Sequence, residues 1–193
     1  MRVVVIHGFN LYDDGASTVD RLVPYIEDEG WEVDKDEADY GFLSLWKVIL
    51  FNGKARQKVL YRITKAIEEA DLVIGHSNGA NFGLQALAAL PDEEKEKKLA
   101  VWISGAASTK VKIPHSVKKM LVLHTPYDIW VRLATYIPFN KWGRMGCKGY
   151  KGDDKRVINI KSRDMKQHSA WFRECCLDRT WTYVTNFVSG NNQ

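Results

Sequence analysis

Leu72-Val73-Ile74-Gly75-His76-Ser77-Asn78-Gly79 is the stretch whose reading decides the fold. Three apolar residues, two of them β-branched, predict a short buried strand that runs straight into a turn. The glycines two places either side of Ser77 mark a turn too tight for side chains at those positions. Residues 79–90 then keep helical spacing until Pro91 stops them. A strand that passes at once into a helix lifts the residue at the turn above the strand end. It also aims the first helical N–H groups, which carry partial positive charge, at that residue. Gly-x-Ser-x-Gly alone is a moderate signal; its strand-to-helix setting makes Ser77 a candidate nucleophile. The competing reading is a tight turn with an incidental serine.

The same alternation extends in both directions. Arg2–Ile6 reads as a strand ending at His7-Gly8-Phe9, and residues 17–29 as a helix with Ser17 as its cap, stopped by Gly30. Trp31–Val33 is a weaker strand, and residues 55–70 place Val59, Ile63, Ala66 and Ile67 on one helical stripe. Beyond Pro91 come strands at Leu99–Ser104, Lys119–His124 and Arg156–Ile160, then a helix from about Leu177. Six short strands, mostly separated by helices, predict a single α/β domain over residues 1–193. Its sheet is mostly parallel, with helices on both faces and no separate cap domain.

Composition narrows the class. The 193 residues are 45% hydrophobic and 27% charged, an ordinary globular balance. No apolar run approaches the roughly 20 residues of a membrane span, and the short run at the N-terminus suits a strand better than a secretion signal. Three cysteines, Cys147, Cys175 and Cys176, give neither a disulfide framework nor metal-ligand spacing. A reducing, cytoplasmic location is expected, with no metal and no cofactor. The net charge of +4 is uneven: residues 141–166 hold nine Lys/Arg against three Asp, and the remainder is slightly acidic. A solvated face is the simpler account of that segment, and attraction of an anionic substrate, partner or nucleic acid is the other.

These residues resemble the α/β-hydrolase superfamily in a compact, lipase- or esterase-like form. His7-Gly8-Phe9 resembles the loop that supplies half of the oxyanion hole, and Gly75–Gly79 resembles the nucleophile elbow. An acid and then a histidine follow later strands, in the family's order. The resemblance spans nearly the whole chain, although the outer N-terminal hairpin of larger members is absent. It implies Ser77 as nucleophile, and backbone N–H groups of Phe9 and Asn78 as oxyanion donors.

Five histidines compete for the base. His7 belongs to the oxyanion loop, His76 should point away from Ser77 and support the elbow, and His115 lies in a Lys-rich surface stretch. His124 ends an apolar strand, as a core histidine or a residue lining the site. His168 follows the last strand in a loop, the position of the family's base. Asp128 follows the penultimate strand through a short turn and is the expected acid, ahead of Asp153, Asp154 and Asp164.

The expected activity is hydrolysis of a carboxylic ester or thioester of a small acyl substrate, by a Ser77–His168–Asp128 triad. An amidase, a peptidase or another acyl-transfer enzyme would use the same residues. A non-catalytic binding protein would have lost a member of the triad, and none is lost. Residues 42–51 are apolar enough to be core, a wall or a lid. Residues 129–152 mix aromatics with cations and should border the cleft. Such interleaving also occurs in nucleic-acid binders, but a complete triad accounts for the fold better. Oligomeric state is not written in the sequence.

Overall fold

The computed structural model describes residues 1–8, 17–34, 54–136 and 142–191, with the backbone alone at Lys54 and Ala55. Six strands, β1 (Arg2–Ile6), β2 (Glu32–Asp34), β3 (Leu72–His76), β4 (Lys98–Ile103), β5 (Val117–His124) and β6 (Val157–Lys161), form one sheet. Every pairing is parallel and the order is β2-β1-β3-β4-β5-β6. The chain steps outward from β1 to β2, then returns to the other side of β1 for β3. The carboxyl ends of β1 and β3 therefore flank the point where the winding reverses. In open α/β sheets that is where ligands bind.

Among the described residues, six helices accompany the strands: α1 (Val23–Asp28), α2 (Lys54–Glu69), α3 (Asn78–Ala89), α4 (Ile129–Ala134), α5 (Met145–Lys148) and α6 (Glu174–Ser189). Strand alternation sorts the core into two layers. Val4, Ile6, Val73, Trp102 and Val122 face α2 and α3. Val3, Val5, Leu72, Ile74, Val101 and Leu123 face α1 and α6. The central strands are thus apolar on both faces and read as continuous buried runs, whereas the edge strands β2 and β6 are half exposed.

The expected helix over 17–29 is divided. A 3₁₀ turn covers Val19–Leu22, with Thr18 rather than Ser17 at the cap position, and α1 starts at Val23. Pro24 in the first turn of α1 explains the break, since it lacks an N–H and its ring crowds the carbonyl four residues earlier.

Two glycines fix how α3 meets the sheet. A Cβ at Gly79 would lie 2.2 Å from the Ile6 carbonyl oxygen and 2.5 Å from that of His7. One at Gly75 would lie 2.7 Å from the Trp102 ring. The first contact is with backbone on both sides, so relief requires moving β1 away from α3. Gly79→Ala is expected to cost at least about 2 kcal/mol, a clear fall in the urea midpoint. An unchanged midpoint would show that β1 and α3 can separate freely.

Candidate active site

Ser77 sits between β3 and α3 at φ 54° and ψ −122°, a conformation that non-glycine residues rarely adopt. It is held there from both sides. Its N–H donates to the Ile103 carbonyl at 3.1 Å, and its own carbonyl accepts from the Ala106 N–H at 2.8 Å. Two hydrogen bonds to the end of β4 and the loop beyond it stabilise a strained residue, the pattern found at functional turns. Gly8, beyond β1, packs on the serine: a Cβ there would meet Ser77 Cβ at 3.0 Å and Oγ at 3.4 Å. Asn78 opens α3 and is buried. Its Oδ1 accepts from Trp142 Nε1 at 2.7 Å, which ties the helix start to the segment after α4.

Asp128 and His168 come together although forty residues apart. Asp128 Oδ2 lies 2.8 Å from His168 Nδ1, and the carboxylate is fully buried. The second oxygen, Oδ1, accepts from the Val131 N–H at 3.0 Å, so Asp128 also caps α4. With its Nδ1–H directed at a carboxylate, the neutral His168 ring keeps Nε2 as its acceptor. Two of the competing acids are committed elsewhere. Asp154 pairs with Arg156 at 2.7 Å, and Asp164 with Arg179 at 2.9 Å.

A cavity of about 620 Å³ opens on these groups, with Gly8, His76, Ser77 and His168 in its wall. Ser17, Thr18 and Gln167 give it a polar side, and Ile129 and Trp130 an apolar one. Trp130 is 68% exposed, so that side is the mouth rather than the floor.

His76 does not point away from the site. Its ring lies 4.6 Å from that of His168 and meets Phe172 edge-on at 4.9 Å. Register explains this: Leu72 and Ile74 face the layer that contains Phe172, and His76 is the next residue on the same face. Burial, with the nearby His168 ring second, holds the His76 ring well below the usual histidine range. It is therefore a neutral, packed neighbour of His168.

His124 is buried as well, but it lines a different cavity. Burial, then Lys151 and Lys161, push it down to about 4. An unfolded chain would take up protons at both rings near pH 6.5, and the folded one only at lower pH. Below pH 6.5 the unfolded state binds more protons, so the stability contributed by these neutral rings is lost as pH falls toward 4. The urea midpoint is expected to drop between pH 7 and pH 5, and His124→Gln to flatten that drop. A midpoint independent of pH over that range would contradict both assignments.

Phe9 and residues 42–51 lie outside the described residues. Residues 129–152 divide: Ile129 and Trp130 reach the cleft, Trp142 supports Asn78, Lys148 and Lys151 line the second cavity, and 137–141 lie outside the described residues. His7 Nδ1 is 2.7 Å from the Gly8 carbonyl oxygen, and His115 lies near Asp92 at the surface. Among the described residues no group of three or more His, Cys, Asp or Glu could hold a metal ion. No described helix is long and apolar enough to cross a membrane.

No protein-family model matches the sequence, and no curated protein does. Solved structures do match. A hydrolase of the alpha/beta superfamily from Xanthomonas campestris pv. campestris aligns at TM-score 0.52 and 16% identity, over 95% of this chain and 98% of its own. An esterase of Pyrococcus furiosus aligns at TM-score 0.58 and 13% identity, over 97% and 80%. A dienelactone hydrolase-like promiscuous phosphotriesterase from metagenomic libraries aligns at TM-score 0.56 and 14% identity, over 98% and 85%. The strand order, the reversal beside β1 and the strained serine after β3 agree with this likeness: the chain has the fold of the α/β-hydrolase superfamily.

Proposed function

We propose that the protein is a serine hydrolase that cleaves a carboxylic ester or thioester of a small acyl substrate through an acyl-enzyme. The observation that carries this reading is the contact of the buried Asp128 with His168, at 2.8 Å, with the histidine opening on the same cavity as the strained Ser77. His168 Nε2 takes the Ser77 proton as Oγ attacks the acyl carbonyl, and returns it to the leaving alcohol or thiol. Asp128 fixes the ring tautomer and stabilises the imidazolium. The Asn78 N–H, at the positive end of α3, and that of Phe9 bind the oxyanion, a contribution of about 3–4 kcal/mol per donor. Water then repeats the sequence and releases the acid. Ile129 and Trp130 receive the acyl chain, while Ser17, Thr18 and Gln167 face the more polar part of the substrate. The hydrolase and esterase among the structural neighbours support the same class. A cytoplasmic setting belongs to this reading, consistent with the free thiols of Cys147, Cys175 and Cys176.

A p-nitrophenyl ester series of rising acyl length, run beside the matching p-nitroanilides, tests it. Ester turnover with an initial burst is expected, together with a fluorophosphonate adduct on the peptide containing Ser77. Faster cleavage of the anilides would make the enzyme an amidase. Neither turnover nor adduct would make the protein a binder that keeps the fold.

A further inference from the structure

The catalytic reading leaves the basic segment 141–166 unused, and the fold gathers part of it at one place. The carboxyl ends of β5 and β6, with the loop after α5, enclose a second cavity of about 370 Å³. His124 and Lys161, the last residues of those strands, are register partners, and Lys148 and Lys151 line the same cavity. The turn between these two lysines is pinned. Gly149 has φ +70°, and a Cβ there would lie 2.8 Å from both His124 Nε2 and Asn159 Oδ1. The Asn159 amide then accepts from the Tyr150 N–H at 2.7 Å and donates to its carbonyl at 3.2 Å.

Charge in this cavity is unbalanced. Among the described residues, no carboxylate lies within 4 Å of the ammonium groups of Lys148, Lys151 or Lys161. The Cys147 thiol supplies no counter-charge, because burial and then the Asp128 carboxylate push it up. His124 is 6% exposed. Three exposed ammonium groups with no carboxylate partner line one cavity with it, where a bound anion would relieve their mutual repulsion.

We propose that this cavity binds a small phosphate-bearing anion, held by Lys148, Lys151 and Lys161 and contacted by His124. The size lies at the lower end for small-ligand sites. A nucleic-acid strand fits less well, since stacking needs an open ring and Tyr150, the aromatic residue of the wall, is only 8% exposed. The site shares no lining residue with the Ser77 cavity, so it stands or falls independently of the hydrolase reading.

The test follows the His124 Cε1–H resonance of histidine-labelled protein at pH 7, assigned with His124→Gln, during titration with inorganic phosphate and with phenyl phosphate. A saturable shift is expected below about 10 mM, with affinity lowered about tenfold or more in Lys151→Gln/Lys161→Gln. Bound phosphate should also raise the pH at which His124 takes its proton. Both lysines are exposed, so the double variant should unfold at the wild-type temperature; Lys161→Gln alone must show the same direction of change. Tighter binding of phenyl phosphate supports a phosphomonoester ligand, and equal binding supports phosphate itself. A shift linear in concentration, or one unchanged in the double variant, overturns the proposal. So does a single-stranded oligonucleotide that moves the resonance where the small phosphates do not.

Discussion

Ser77→Ala is expected to remain folded, to take no fluorophosphonate label, and to lose ester turnover by about 10⁵–10⁶-fold, down to background. The loss is large because every covalent step of the proposed mechanism passes through Oγ, and neither His168 nor Asp128 can replace it. The fold should survive, since the residue is positioned by its backbone. The 3.1 Å bond to Ile103 and the 2.8 Å bond from Ala106 both use main-chain atoms that alanine retains. Alanine at φ 54° carries the same strain as serine, so the thermal midpoint should stay close to wild type. Label that persists in this variant would move the nucleophile elsewhere.

The elbow was legible because its information is local. Three apolar residues, two glycines and a helical run determine β3, the turn and α3 within twenty positions, and the structure places them as read. The choice of Asp128 and His168 was readable through the resemblance, whose order puts an acid and then a histidine after later strands, and the structure brings these two side chains together. The side of the sheet facing each neighbour was not readable. Whether His76 meets His168 depends on the layer in which the loop around Phe172 packs, and no short-range pattern encodes that. The contact from Trp142 to Asn78 likewise depends on a loop path between distant residues. The signal for Asp128 as a helix cap was present, an Asp just ahead of the α4 run, but its expected role as the acid obscured it.

The lysines show the same boundary from the other side. Sequence reveals that residues 141–166 are basic, yet the second cavity also takes His124 from β5 and depends on Gly149 bending the loop back toward β6. Charge is a property of the segment; convergence is a property of the fold. The two cavities, one beyond β1 and β3 and the other beyond β5 and β6, use separate ends of the same carboxyl edge.

Asp128→Asn should separate the two tasks of that residue. The Asn side-chain oxygen can still accept from the Val131 N–H, so α4 keeps its cap and the protein should unfold near the wild-type temperature. At the other position an amide NH₂ replaces the carboxylate oxygen that lies 2.8 Å from His168 Nδ1. A donor there favours an unprotonated Nδ1, which places the ring proton on Nε2, the atom that must act as base. Turnover at neutral pH is expected to fall about 10⁴-fold, with binding of a non-hydrolysable ester analogue little changed. Asp128→Ala, which removes cap and acid together, should lose about as much activity and in addition about 1 kcal/mol of stability. Equal stability losses in the two variants would mean that the asparagine does not preserve the cap. Near-wild-type turnover in Asp128→Asn would mean that His168 needs no carboxylate, and the acid of the proposed triad would have to be abandoned.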